Sequence, residues 1–175
     1  MALLVGSSLF GDGAAAVVAV GERRAAQIAA RGPDVLESRS RLYPDSLDTM
    51  GWNVRATGFE LVLSPDLPDL IERYLSDDVT GFLADHDLTI DDIGAWVSHP
   101  GGPKVMESIT AAVGLPDDAL ELSWRSLSEV GNLSSASVLY VLRDTLATRP
   151  PSGSPGLMMA MGPGFCSELV LLRWH

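Results

Sequence analysis

A chain of 175 residues with 46% hydrophobic and 20% charged side chains is long and apolar enough for one domain with a full core, and is not a disordered tail. Its formal net charge of -11 excludes partners that bind through clustered Lys and Arg, so neither nucleic acid nor an anionic membrane surface is expected. One cysteine, Cys166, excludes an intrachain disulfide and a multi-cysteine metal site and fits a reducing cytoplasm; no metal is expected.

No apolar run reaches the roughly 20 residues of a membrane span, and residues 1–5 are too short and uncharged to open a secretory signal. Residues 3–5 lead into a turn at 7–13, and the small, β-leaning run 14–20 reads as a buried strand. Residues 26–30 read as another short strand. The polar stretch 31–50, with Pro33 and Pro44, reads as a surface excursion. Residues 52–57 and 59–63 read as two strands bracketing Gly58, and 69–84 as a helix opened by Pro65 and Pro68. Next come a strand at 93–98, a Gly-rich turn and a helix at 104–113. Residues 120–129 fit a strand followed by a short helix, and 136–146 a helix apolar nearly all round, as expected in the middle of a protein. After a Pro/Ser/Gly loop, 157–161 and 165–173 form a closing hairpin around Gly162-Pro163-Gly164. Strands alternating with helices give an α/β chain with a mixed sheet.

Three segments stand out. His99 sits where a strand ends and a Gly-rich turn begins, a place where side chains project into a cleft at the C-terminal edge of a sheet. The plainer role is a loop histidine satisfied by backbone groups. Asn132 lies between Gly131 and an apolar helix, where its plainer role is an N-cap. Gly162-Pro163-Gly164 is by itself a hairpin turn.

In order, Leu9-Phe10-Gly11-Asp12-Gly13-Ala14-Ala15, Trp96-Val97-Ser98-His99-Pro100-Gly101-Gly102-Pro103-Lys104, Glu129-Val130-Gly131-Asn132-Leu133-Ser134-Ser135 and Gly162-Pro163-Gly164 resemble the chalcone synthase family of type III polyketide synthases. The likeness runs from about residue 5 to 174, and the His-Pro-Gly-Gly-Pro and Gly-Asn-x-Ser-Ser segments are its specific part. It implies a thiolase-like fold, here the C-terminal half: residues 1–175 as one domain, a mixed β-sheet with helices packed on it. The N-terminal half, which carries the family's nucleophilic cysteine, is absent. The family loads an acyl group from coenzyme A onto that cysteine, decarboxylates malonyl-type extenders, condenses them and cyclises the product. The resemblance therefore implies a cytoplasmic acyltransferase, dimeric as a whole, whose substrates are acyl-CoA and malonyl-CoA. No cofactor is bound permanently, and the partner is the N-terminal half or a second copy.

The same resemblance assigns the residues. A thiolate and a nearby imidazolium stabilise one another, and decarboxylation leaves negative charge on a thioester oxygen that needs hydrogen-bond donors. His99 and Asn132 are the family's catalytic donors; a carboxylate at either place would repel the enolate. Phe10 matches a gatekeeper aromatic. Leu61 falls on the second gatekeeper, where plant members carry phenylalanine, so a plant-type starter is not implied. Gly51 falls near a position that shapes the elongation cavity, and Trp52 beside it is similar to bacterial members. Ser134 resembles a cavity-lining residue, and Gly162, Pro163 and Gly164 complete the substrate-binding set. Gly101, Gly102 and Lys104 are the coenzyme A contacts, with an open backbone for the pantetheine arm and a helix N-terminus that favours anions. Cys166, in the closing hairpin, reads as a packing thiol and not the nucleophile.

Two other readings stand beside this one. A ketoacyl synthase III-like enzyme shares the His/Asn chemistry, but its His-Gln-Ala-Asn signature replaces His99-Pro100-Gly101-Gly102. A catalytically silent thiolase-fold fragment, serving as an interaction or dimerisation module, suits the missing cysteine. Without the other half, Val138, Leu139, Val141 and Leu142 are expected to lack cover, and the chain alone to self-associate and be inactive.

Overall fold

Apolar residues every second position near the C-terminus and every third or fourth in the middle of the chain set the sheet and the helices that cover its two faces. The structure is a computed structural model and describes residues 2–175; Met1 lies outside the described residues. The elements are α1 (Ala2–Leu9), α2 (Glu22–Ile28), β1 (Asp34–Leu42), β2 (Met50–Arg55), β3 (Gly58–Leu63), α3 (Leu67–Ala84), β4 (Ala95–Ser98), α4 (Pro103–Val113), α5 (Glu121–Val130), α6 (Ser137–Thr148), β5 (Pro155–Gly162) and β6 (Cys166–Arg173). One mixed sheet has the order β1-β6-β5-β4, with β4 parallel to β5 and the other pairs antiparallel. β2 and β3 form a separate hairpin.

The alternation in β5 and β6 sends Leu157, Met159, Leu169 and Leu171 to one face and Val170 and Leu172 to the other. On the first face lie α3 and α4. Leu67, Ile71, Leu75, Val79, Phe82 and Leu83 form the buried stripe of α3; Met106, Ile109 and Val113 form that of α4. Each fully buried side chain of this kind contributes about 1.5–3 kcal/mol. Asp78, also on the buried stripe of α3, accepts hydrogen bonds from Tyr43, Ser167 and Arg41, so the buried carboxylate is paired and ties β1 and β6 to the helix. On the second face α6 packs Val138 and Val141 against Val97, Leu172 and Trp174. Gly156 makes room for that indole: a Cβ there would lie 2.6 Å from Trp174 Nε1.

The structure corrects several readings. Residues 26–30 are not a strand, because Glu22–Ile28 is rich in helix formers and folds as α2. The stretch 31–50 holds β1, an edge strand whose polar residues face solvent, with Pro33 and Pro44 bracketing it. Residues 120–129 hold no strand: Leu120 is the N-cap and Glu121–Val130 is helical as α5. The run 14–20 is neither a strand nor buried; Val18 is 92% exposed, and no strand lies beside the run among the described residues. The expected bare side of α6 is also absent, since Val138 and Val141 are buried and Leu139 and Leu142 pack on the same cluster. Exposed large apolar side chains lie instead at Val17, Val18 and Val20, on β1 at Val35, Leu36 and Leu42, at Leu47, and on the hairpin at Trp52, Val54 and Phe59, among others.

Candidate active site

The end of β4 and the start of α4 bracket the first part of the site. His99 N–H donates to Met159 O at 2.9 Å, extending the β4–β5 pairing, and Gly101 N–H then donates back to His99 O at 2.9 Å. The resulting turn is tight, and Pro103 opens α4 directly after Gly102.

The second part follows α5. Gly131 has φ 75° and ψ -166°, and a Cβ on it would come within 2.9 Å of Leu9 O, so both conformation and space require glycine. Asn132 then pairs with the end of α1: its N–H donates to Leu9 O at 2.8 Å, and Gly11 N–H donates to Asn132 O at 3.0 Å. Phe10 is thereby fixed beside Asn132. The Asn132 side chain is buried. Its Nδ2 donates to Gly101 O at 3.0 Å and its Oδ1 accepts from Ser134 N–H at 2.8 Å. Asn132 is not the N-cap of α6, which is Ala136; its side chain closes the turn that follows and also clamps that turn to the one carrying His99. One Nδ2 hydrogen is left over from these contacts.

His99 and Asn132 open into one cavity of about 920 Å³. Phe10, Gly51, Leu61, Ser134, Gly101, Gly102, Lys104, Gly162 and Pro163 are all in its wall. Gly164 is not: with φ 137° it turns away from the cavity, and a Cβ there would meet Leu42 Cδ1 at 2.8 Å. The hairpin of β2 and β3 brings Gly51, Trp52 and Leu61 to the opening, and exposed Lys104 stands on the first turn of α4. The inner wall is apolar, from Leu67 and Ile71 on α3, Val105 and Ile109 on α4, Met159 and Phe165. Sequence reading missed these because their spacing is that of ordinary core residues.

Burial holds the His99 imidazole down to about 4, so it is neutral at pH 7 in this chain. Its ring makes no hydrogen bond among the described residues, leaving an N–H free for the cavity. Cys166 also lines the cavity, although the hairpin position points to packing alone; its Sγ lies 3.5 Å from Pro163 O. Burial and the neighbouring Glu168 carboxylate push this thiol up, away from thiolate character. Among the described residues, no helix is long and apolar enough to cross a membrane, and no group of three or more His, Cys, Asp or Glu could hold a metal.

Residues 34–174 match the family model for chalcone and stilbene synthases, C-terminal domain. The chain belongs to this family. As a type III polyketide synthase domain it is 53% identical over 175 residues to the 1,3,6,8-tetrahydroxynaphthalene synthase of Streptomyces peucetius subsp. caesius, covering 99% of this chain and 46% of that protein. It is 38% identical to a putative chalcone synthase of Bacillus subtilis, covering 98% of this chain and 48% of the relative. The domain therefore spans about half the length of these relatives. The crystal structure of the tetrahydroxynaphthalene synthase of Streptomyces coelicolor A3(2), a bacterial type III polyketide synthase, superposes with a TM-score of 0.78 at 28% identity, over 83% of this chain and 42% of that one.

Proposed function

We propose that this domain supplies the two hydrogen-bond donors for decarboxylative condensation in a type III polyketide synthase whose cysteine lies in a preceding half. The observation that carries the reading is the clamp between Asn132 and Gly101, which holds His99 and Asn132 on one largely apolar cavity.

The acyl starter would be carried as a thioester on the cysteine of the other half. A malonyl-CoA then enters past Lys104, with its pantetheine arm along Gly101 and Gly102 and between Phe10 and Leu61. The bond from the malonyl carbon to its carboxylate breaks, CO2 leaves, and the electron pair moves onto the thioester oxygen as an enolate. The His99 N–H and the free Asn132 Nδ2 hydrogen donate to that oxygen. A neutral imidazole is a sufficient donor here, and a thiolate beside it would raise its pKa and bring in the imidazolium. The apolar inner wall excludes water from the enolate, which attacks the starter carbonyl and expels the thiolate.

Coenzyme A thioesters are then substrates, and no permanent cofactor is required. The similarity to a tetrahydroxynaphthalene synthase supports a polyhydroxylated aromatic product of that kind. The missing partner is the cysteine-bearing half, with a homodimer in the cytoplasm as the working whole. Residues 17–20, Trp52 and Phe59 offer apolar surface for such contacts. Alone, the chain is inactive, because Cys166 is held as a thiol and stands in the wrong half to carry the starter.

Supplying the N-terminal half as a separate chain or a fusion tests this. Consumption of malonyl-CoA that needs both halves is expected; turnover by this chain alone, or none with the half supplied, would overturn it.

A further inference from the structure

Ser123 and Ser126 are buried one turn apart on α5, and their hydroxyls differ. Ser123 Oγ donates to the carbonyl of Ser98 at 2.8 Å, whereas Ser126 Oγ has no hydrogen-bond partner among the described residues. β4 ends its sheet, with β5 on one side and no strand on the other among the described residues. The Ser98–His99 peptide is trans, so its N–H and C=O point opposite ways. His99 N–H donates to Met159 O of β5 at 2.9 Å, which turns the Ser98 carbonyl off the free edge of β4. No neighbouring strand reaches this buried carbonyl; the Ser123 hydroxyl does. Both ends of the peptide that carries the His99 Cα are thus pinned. On the far side of the residue, His99 O accepts from Gly101 N–H, and Gly101 O accepts from Asn132 Nδ2. Ser123 and Asn132 belong to one continuous stretch, α5 and the turn it leads into, so that stretch holds His99 from before and behind.

We propose that Ser123 is a positioning residue: by fixing the Ser98–His99 peptide from behind, it aims the His99 imidazole at the thioester oxygen that His99 shares with Asn132. The inference rests on the polyketide synthase reading and deepens it. Ser123 is fully buried and touches no substrate, so it acts through His99 alone, forming no covalent bond and transferring no proton. Without its hydroxyl the Ser98 carbonyl is an orphaned acceptor in a buried place. The peptide then gains by rotating toward another donor, and the imidazole turns with it. A donor displaced in this way no longer meets the charge that develops on the enolate oxygen.

Two readouts test this. In the isolated chain, His99 Cδ2 lies 3.6 Å from where a Cβ on Gly101 would stand, so a nuclear Overhauser contact between the His99 ring and the Gly101 α-protons reports the aim of the ring. Ser123→Ala should lose most of that contact. In the synthase reassembled with its cysteine-bearing half, the same variant should lower kcat for CO2 release from malonyl-CoA about tenfold or more, with KM within about twofold. Ser123→Thr keeps the donor and should restore both. Ser126→Ala removes a hydroxyl that bonds nothing and should change neither. Where Ser123→Ala does not fold, Ser123→Cys, of similar size with only a weak donor, replaces it and carries the same expectations. An unmoved ring contact or an unchanged kcat would overturn the proposal. Equal losses in the Ala and Thr variants, or the same loss in Ser126→Ala, would assign the effect to packing and overturn it as well. A wild-type assembly that releases no CO2 sinks the synthase reading and this inference together, whereas normal release with the ring contact unmoved by Ser123→Ala sinks the inference alone.

Discussion

Acidification from pH 7.5 to 5 should weaken the fold through His99. The half-buried side chain is desolvated and held down to about 4, against an ordinary value near 6.5. The unfolded chain therefore takes up a proton at this residue as pH falls through 6.5, while the folded chain resists until about 4. Unfolding binds the proton, so stability is full above pH 6.5, falls through the window and levels off below pH 4. Linkage over these two values gives about 2 kcal/mol lost at pH 5 and about 3 kcal/mol below pH 4. The carboxylates whose pKa values are lowered, Asp34, Asp92 and Asp144, act below that window and do not mask it. Urea denaturation across pH 5–7.5 for wild type and His99→Gln isolates the effect, since glutamine does not titrate. The variant should lack most of the slope, and the His99 Cε1 proton resonance should not move until the pH is near 4. Parallel slopes, or a His99 midpoint near 6.5, would refute the claim that the imidazole is desolvated.

Other consequences follow from particular contacts. Gly131→Ala forces a side chain into a left-handed conformation against Leu9 O; a loss of about 1–3 kcal/mol is expected in chemical denaturation, with weaker pairing of Asn132 to α1. Cys166 should react with iodoacetamide more slowly than a free thiol at pH 7.5, because burial and Glu168 raise its pKa; stoichiometric acylation by an acyl-CoA in mass spectrometry would contradict this. Sedimentation of the isolated chain at micromolar concentration should show self-association through residues 17–20 and the Trp52–Phe59 hairpin, reduced by Val18→Ser with Phe59→Ser; a monomer that binds no hydrophobic dye would refute it.

Much of the second half of the fold was legible because its signals are local. Pro68, Pro103 and Gly114 mark the ends of α3 and α4, Gly58 turns the β2–β3 hairpin, and alternation marks β5 and β6. The misreadings came where a neighbour decides the outcome. β1 is polar because it is an edge, and only its pairing with β6 makes it a strand. The run 14–20 has β propensity but no strand beside it among the described residues, and α6 finds its cover in Trp174, which is distant in sequence. In the site, the short motifs located His99 and Asn132, but the reason they meet is the bond from Asn132 Nδ2 to Gly101 O, which spacing does not reveal. Ser98 was visible as a motif letter alone. Cys166 reads from sequence as a packing thiol alone, because register across the β5–β6 hairpin, which brings it to the cavity, is a property of the folded sheet.

If His99 and Asn132 act on one thioester oxygen, Asn132→Ala in the reassembled synthase should separate decarboxylation from loading, compared with wild type under conditions where circular dichroism shows both folded. Radiolabelled CO2 release from malonyl-CoA and acyl loading of the cysteine are measured side by side. Loss of one such donor should slow CO2 release about a hundredfold or more while loading stays within a few-fold. Equal losses in both steps would contradict the account and reduce Asn132 to the clamp that holds the two turns together.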